Sequence, residues 1–154
     1  MTTPVMIQPM SLYLGGQMLH RKGFGFSDFN QAARVLRSLP WVKFVFNPAE
    51  NDKENGFDPA NLRGTMAEMD EAHFSREEAL HQDFEWINRD SNGMVALHTW
   101  KKSPGTFGEM AYHQALYRPV WPYRAFVGSG GDPAKLEACK FPSLRELIVE
   151  AELL

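Results

Sequence analysis

Apolar positions along the chain fall into alternating strand-like and helix-like runs. Ser11, Leu12, Tyr13 and Leu14 form a short β-prone segment that stops at Gly15 and Gly16. Absent side chains there let the chain turn sharply and let a ligand reach the backbone. After a stretch rich in glycine and phenylalanine (Gly23 to Phe26), Ser27 and Asp28 read as a helix start. Phe29, Ala32, Ala33, Leu36 and Leu39 then recur at helical spacing, and Pro40 closes the run. Val42 to Phe46 is a second strand, ended by Asn47 and Pro48. Residues 49–74 are polar and acidic, broken by Gly56, Pro59 and Gly64, and read as a long loop with a short helical turn at Met66 and Met69.

Ser75 to Glu78 has the pattern of a capping box and opens a helix whose apolar residues Leu80, Phe84 and Ile87 share one face. Met94 to Leu97 is short and apolar, as a buried parallel strand should be. A third helix is expected over Thr106 to Leu116, and a fourth strand at Val120 and Trp121 between two prolines. A glycine-rich connection (Gly128 to Gly131) leads to a turn of helix at Pro133 to Ala138, and Ser143 to Leu153 reads as an amphipathic terminal helix. This alternation predicts a single α/β domain over residues 1–154, with an open, mostly parallel sheet of four or five strands covered by helices on both faces. In such folds ligands sit beyond the carboxyl ends of the strands. Four segments are thereby selected: the loop after Tyr13, the loop after Phe46, the start of the helix at residue 75, and residues 98–109.

Composition narrows the partners. With 44% hydrophobic and 23% charged residues, the 154-residue chain can bury a core of its own. Its net charge is −3 and its basic residues are scattered, so no basic face marks a nucleic-acid surface. A small anion needs only one or two local cations. Cys139 is the sole cysteine and has no disulfide partner within the chain, which fits a reducing compartment. Neither a signal-peptide pattern nor a membrane-length apolar run occurs, so a soluble cytoplasmic protein is expected. The five histidines show no metal-ligand spacing, and glycine-rich dinucleotide and P-loop motifs are absent; no metal or organic cofactor is implied. Of the histidines, His98 and His113 are the two expected nearest the ligand side.

The segment from His98 to Glu109 follows a buried strand and enters a helix, so backbone N–H groups face the crevice. Ser103 and Gly105 suit anion binding at that point. Glu109 is expected in the helix's first turn, where an acid either serves a ligand or simply offsets the helix dipole; spacing leaves both open. Asp83 shares the apolar side of its helix with Leu80, Phe84 and Ile87, so it is paired, capping or at a site. Two carboxylates on different elements at one crevice are what glycosyl transfer needs, one to attack the anomeric carbon and one to manage a proton on the leaving group. Tyr13 ends the first strand and is either a core aromatic or a hydroxyl that orients the nucleophile. Trp100 sits in the ligand-side loop, where it could stack on a base.

At these residues the chain resembles the nucleoside 2-deoxyribosyltransferase superfamily, which includes deoxynucleoside 5′-monophosphate N-glycosidases. Five ordered blocks over roughly residues 11–123 carry the likeness: Tyr13 to Gly16, Phe29 to Ala33, Val45 to Pro48, Asp83 to Ile87, and Ser103 to Glu109. The resemblance implies a flavodoxin-like, Rossmann-like sheet and double displacement through a glycosyl ester on Glu109. Asp83 is implied as the acid that assists departure of the base, and Tyr13 as the tyrosine beside the nucleophile. Ser103, six residues before Glu109, matches a position where members acting on 5′-monophosphates carry serine and those acting on free nucleosides carry aspartate. Gly15, Gly16, Gln17, Arg21, Asn47, Trp100 and Gly105 complete the expected substrate-binding set, with Arg21 as the cation for phosphate. A homo-oligomer, dimer or larger, is implied too, with the terminal helix as a candidate interface. The alternatives are a nucleotide-binding protein without turnover and a flavodoxin-like interaction domain without a ligand.

Overall fold

The computed structural model describes residues 8–143 and 146. Four parallel strands form one sheet: β1 (Met10–Gly15), β2 (Val42–Phe46), β3 (Gly93–Ala96) and β4 (Val120–Pro122), in the order β2-β1-β3-β4. This is the flavodoxin-like, Rossmann-like open sheet. β1 and β3 are central, and the order reverses between them. Tyr13 pairs with Phe46 on one side and Met94 on the other. That reversal leaves a crevice beyond the carboxyl ends of β1 and β3.

Helices cover both faces. Leu12, Leu14, Val45 and Val95 point to the face packed by α1 (Phe26–Arg37), α6 (Tyr123–Gly128) and α7 (Pro133–Cys139), through Phe29, Ala33, Leu36, Phe126 and Leu136. Tyr13, Met94, Ala96 and Val120 point to the opposite face, where α4 (Arg76–Asp90) and α5 (Pro104–Ala115) contribute Ile87 and Met110. Period-two alternation along β1 thus sends its leucines and its tyrosine to different cores.

Several boundaries differ from the sequence reading. Residues 49–74 hold a helix that the sequence reading lacks, α2 (Pro48–Glu54), besides α3 (Met66–Glu71), which stands where the short helical turn at Met66 and Met69 is expected. Asn47 Oδ1 accepts the Ala49 N–H and Pro48 stands at the first helical position, a start signal that needs little apolar periodicity. A full capping box forms at Thr65 and Glu68, whereas at α4 the Ser75 hydroxyl accepts the Glu78 N–H as a single cap bond. α5 begins at Pro104, capped by Ser103, two residues before the expected start at Thr106. Glu109 consequently lies in the second turn of α5, too deep for dipole compensation alone. The helix Tyr123–Gly128 lies in a stretch read only as the approach to a glycine-rich connection. Of the terminal helix expected over Ser143 to Leu153, all but Ser143 and Glu146 lies outside the described residues. No described helix is long and apolar enough to cross a membrane.

Candidate active site

A cavity of about 360 Å³ occupies the crevice at the strand-order reversal. β1 delivers Tyr13, Gly15 and Gly16 to it, α4 delivers Arg76 and Asp83, and the turn into α5 delivers Ser103, Gly105 and Glu109. A Cβ at Gly15 would lie 2.3 Å from Met94 Cε and 3.3 Å from Thr106 Cγ2, so glycine there lets β1 pack closely against Met94 and α5 beside the site. Phe24, Phe57, Phe74, Met18 and Met69 form an apolar wall, the kind of surface that accepts a flat heteroaromatic group. His20, Lys102 and Pro104 are exposed and mark the rim.

Three acids and one phenol meet in this space. The Tyr13 hydroxyl donates to Glu109 Oε2. Both side chains are buried, and Tyr13 is held flat by Phe46, whose ring stacks at 5.6 Å and 15°. Burial, and next the nearby Asp83 charge, push Glu109 well above the usual carboxyl range; the Tyr13 hydroxyl and the Arg76 guanidinium oppose them. Asp83 is 6% exposed and burial raises it to about 7, with the nearby Tyr13 hydroxyl pulling the other way. Its Oδ1 is buried without a hydrogen-bond partner among the described residues. An orphaned carboxyl oxygen is costly in a folded chain unless a ligand completes it. The third acid, Asp52 on α2, is 5% exposed and raised to about 7, by burial first and by Asp83 second.

The cationic part of the cavity surrounds the start of α5. Gly105 is a first-turn residue, so its N–H has no acceptor within the helix. A Cβ placed on Gly105 would lie 3.6 Å from an Arg76 guanidinium nitrogen and 3.9 Å from Ser103 Oγ. Thr106 Oγ1 stands 2.9 Å from the Gly16 carbonyl oxygen and 2.9 Å from Ser103 Oγ. The Gly16 carbonyl can only accept, so the one hydroxyl proton of Thr106 goes to it and the Ser103 hydroxyl donates to Thr106 Oγ1.

The expected set is therefore assembled only in part. Tyr13, Gly15, Gly16, Gln17, Asp83, Ser103, Gly105 and Glu109 all line the cavity. Arg21 does not: its guanidinium is paired with Asp28. Asn47 caps α2 and donates to Asn30 Oδ1, away from the cavity. Trp100 packs against Phe107 and Phe141, has Lys101 over its ring, and does not line the cavity. His98 is exposed. His113 lies behind the site, with Nδ1 2.8 Å from the Glu109 carbonyl oxygen and Nε2 2.7 Å from Ser91 Oγ. A carbonyl only accepts, so Nδ1 carries the proton. Burial drops this ring to about 4, and it is neutral near pH 7.

Sequence reasoning missed Arg76, Lys102 and Asp52. Arg76 follows the Ser75 cap, and helix N-terminal residues face the crevice in this fold, which is a usable signal. Asp52 had none, because its helix was read as loop. Among the described residues no three His, Cys, Asp or Glu side chains converge to hold a metal ion. No family model, no curated protein and no solved structure matches the chain.

Proposed function

We propose that this protein cleaves or transfers the N-glycosidic bond of a nucleoside or deoxynucleoside, preferably its 5′-monophosphate, by double displacement. The observation that carries the reading is a buried pair of acids in one cavity with different partners: Glu109 accepts a hydrogen bond from Tyr13, and Asp83 has an oxygen without a partner among the described residues. Burial raises both acids, Asp83 to about 7. The Tyr13 hydrogen bond and the Arg76 field favour the carboxylate of Glu109 and fit it to the nucleophile's part, while the open oxygen of Asp83 fits it to pass a proton to a ligand.

In the first step the Glu109 carboxylate attacks the anomeric carbon while Asp83 gives its proton to the departing base. The carbon–nitrogen bond breaks, and the sugar is held as an ester on Glu109. In the second step water or another base attacks the same carbon, Asp83 takes back a proton, and Glu109 leaves as carboxylate. Atoms and charge balance without a cofactor. The sequence resemblance to nucleoside 2-deoxyribosyltransferases points to the same roles. Arg76, Lys102 and the Gly105 N–H supply charge and a donor suited to a phosphate at the rim, a role Arg21 cannot take while bound to Asp28.

The test is chromatography of the purified protein with deoxynucleosides and their 5′-monophosphates, with and without a second free base. Release of base from a monophosphate supports glycosidase action, and exchange of bases supports transfer. Arg76→Ala is expected to raise KM for the monophosphate about 10- to 100-fold and KM for the free nucleoside far less, while lowering kcat for both because Glu109 loses the Arg76 field. Binding of a monophosphate with no turnover of any substrate would replace this reading with that of a binding protein.

A further inference from the structure

A second cavity, of about 240 Å³, adjoins the first. Asp52, Phe57, Phe74 and Ala79 line both and so form the wall between them. Phe57 and Phe74 meet in that wall with ring centroids 4.5 Å apart. The exposed rim of the second cavity is separate from that of the first: Asn55, His73 and Glu78 form it, in place of His20, Lys102 and Pro104. Its lining is polar as well. Gln82 Oε1 accepts from Asn51 at 2.9 Å and from Asn55 at 3.0 Å, which turns the donor end of the amide to other partners. Asp52 is 5% exposed and faces both spaces, and its backbone carbonyl accepts the Phe57 N–H at 3.0 Å, which ties it to the wall.

Covalent chemistry on Glu109 creates a traffic problem that these observations answer. Once the bond to the base is cut, the sugar stays esterified to Glu109, and its phosphate end fills the rim beside Lys102 and Ser103. The base lies deeper, at Asp83 and its neighbour Asp52. It has to leave, and water or a second base has to arrive at the vacated position, while the first rim is blocked. We infer that the polar cavity is a second port, through which the cleaved base departs past Asp52 and the Phe57–Phe74 pair and the acceptor enters. The inference rests on the glycosyl-ester reading above. Heterocyclic bases carry ring nitrogens and carbonyl or amino groups that the Gln82 amide and the Asp52 carboxyl can bind in passing.

Ala72 tests the port, because it lines the second cavity and not the first and is exposed on α3's C-terminal end. Ala72→Trp would plug the port from outside without touching Asp83 or Glu109. The substrate is whichever monophosphate the wild type cleaves best. Rapid-quench single turnovers, which count bound and free base together, are expected to be unchanged. Steady-state kcat is expected to fall about fivefold or more as base release becomes limiting, with a burst appearing before the slow phase. Phe74→Ala, which widens the wall, is expected to raise the fraction of product formed with added free adenine or cytosine. A wild-type kcat in Ala72→Trp, an equal loss in single turnover and steady state, or an unmoved partition in Phe74→Ala would each overturn the port. A wild type that forms no base in the first turnover would instead overturn the glycosidase reading, and the port with it.

Discussion

On one face of β1, Leu12 and Leu14 meet α1, α6 and α7 in a core of buried apolar side chains that includes Ala33, Leu36, Phe126 and Leu136. On the other face Tyr13 meets α4 and α5, and there the buried residues include Asp83, Ser91, Glu109 and His113. The same strand thus faces a conventional core on one side and a set of desolvated ionisable groups on the other. Burial of apolar surface contributes stability in the first. In the second it also opposes ionisation of Asp83 and Glu109, which costs stability and supplies reactive acids. Stability and chemistry are divided by the pleat of one strand.

Two substitutions break that comparison most sharply. Glu109→Gln removes the nucleophile while keeping the shape of the side chain and a neutral partner for Tyr13. Turnover is expected to fall at least about a thousandfold, with the thermal midpoint unchanged or raised, as read by chromatography and calorimetry. Phe126, 0% exposed on the apolar face and outside the cavity, gives the opposite result. Phe126→Ala is expected to cost about 3–5 kcal/mol in denaturant unfolding and to leave kcat per folded molecule intact. Should Phe126→Ala lose kcat as severely as Glu109→Gln, the two faces are not separable in this way.

Tyr13→Phe falls between these extremes because Tyr13 belongs to both descriptions. Its ring stays in the stack with Phe46, so stability should drop only about 1 kcal/mol. Its hydroxyl favours ionised Glu109, so without it Glu109 holds its proton to still higher pH. Expected are a kcat lower by about 10- to 100-fold and an acid limb of the kcat/KM profile displaced to higher pH. A loss of rate with no displacement of the limb would remove Tyr13's electrostatic role and leave only packing.

The difference between the faces also explains what could be read in advance. Apolar runs gave all four strands, and helical spacing gave α1 and α4, because the sheet's two cores impose those periods. Misjudged starts share one cause. Asn47-Pro48 was read as the end of a strand and Ser103-Pro104 as a loop, yet each is an N-cap followed by proline at the first helical position. Reading that dipeptide as a start would have found α2, with Asp52 on it, and would have moved Glu109 into the second turn. Tyr13, Asp83, Ser103 and Glu109 were legible as candidates because each lies at a strand end or beside a helix start facing the crevice. Their convergence was not: Tyr13 and Glu109 are 96 residues apart, and only the pairing of β1 with β3 joins them. Arg21 failed as a phosphate cation for a local reason, since Asp28 binds it seven residues on.

The subtlest consequence of the divided faces is a stability that declines with rising pH. Asp52 and Asp83 ordinarily titrate near 3.8 and are raised to about 7 in the fold. Between those values the folded chain holds protons that the unfolded chain has released, so stability falls as pH rises from about 4 to about 7 and levels off above. Glu109 adds to the same side. His113 opposes them: it is lowered from 6.5 to about 4, and its contribution is lost as pH falls through that window. Two acids outweigh one imidazole, which leaves a net slope of at most about 1.4 kcal/mol per pH unit for each excess proton. Thermal midpoints measured from pH 4.5 to 8 should therefore drift down by a few degrees. Asp83→Asn and Asp52→Asn should each flatten the drift and raise the midpoint at pH 8, while His113→Asn should steepen it. Phe126→Ala should lower the midpoint evenly at every pH, since Phe126 does not line the cavity that holds these acids. A wild-type midpoint that climbs between pH 5 and pH 7 would mean that the acids beneath the cavity are ionised and paired, and the assignment of Asp83 as proton donor would fall with that result.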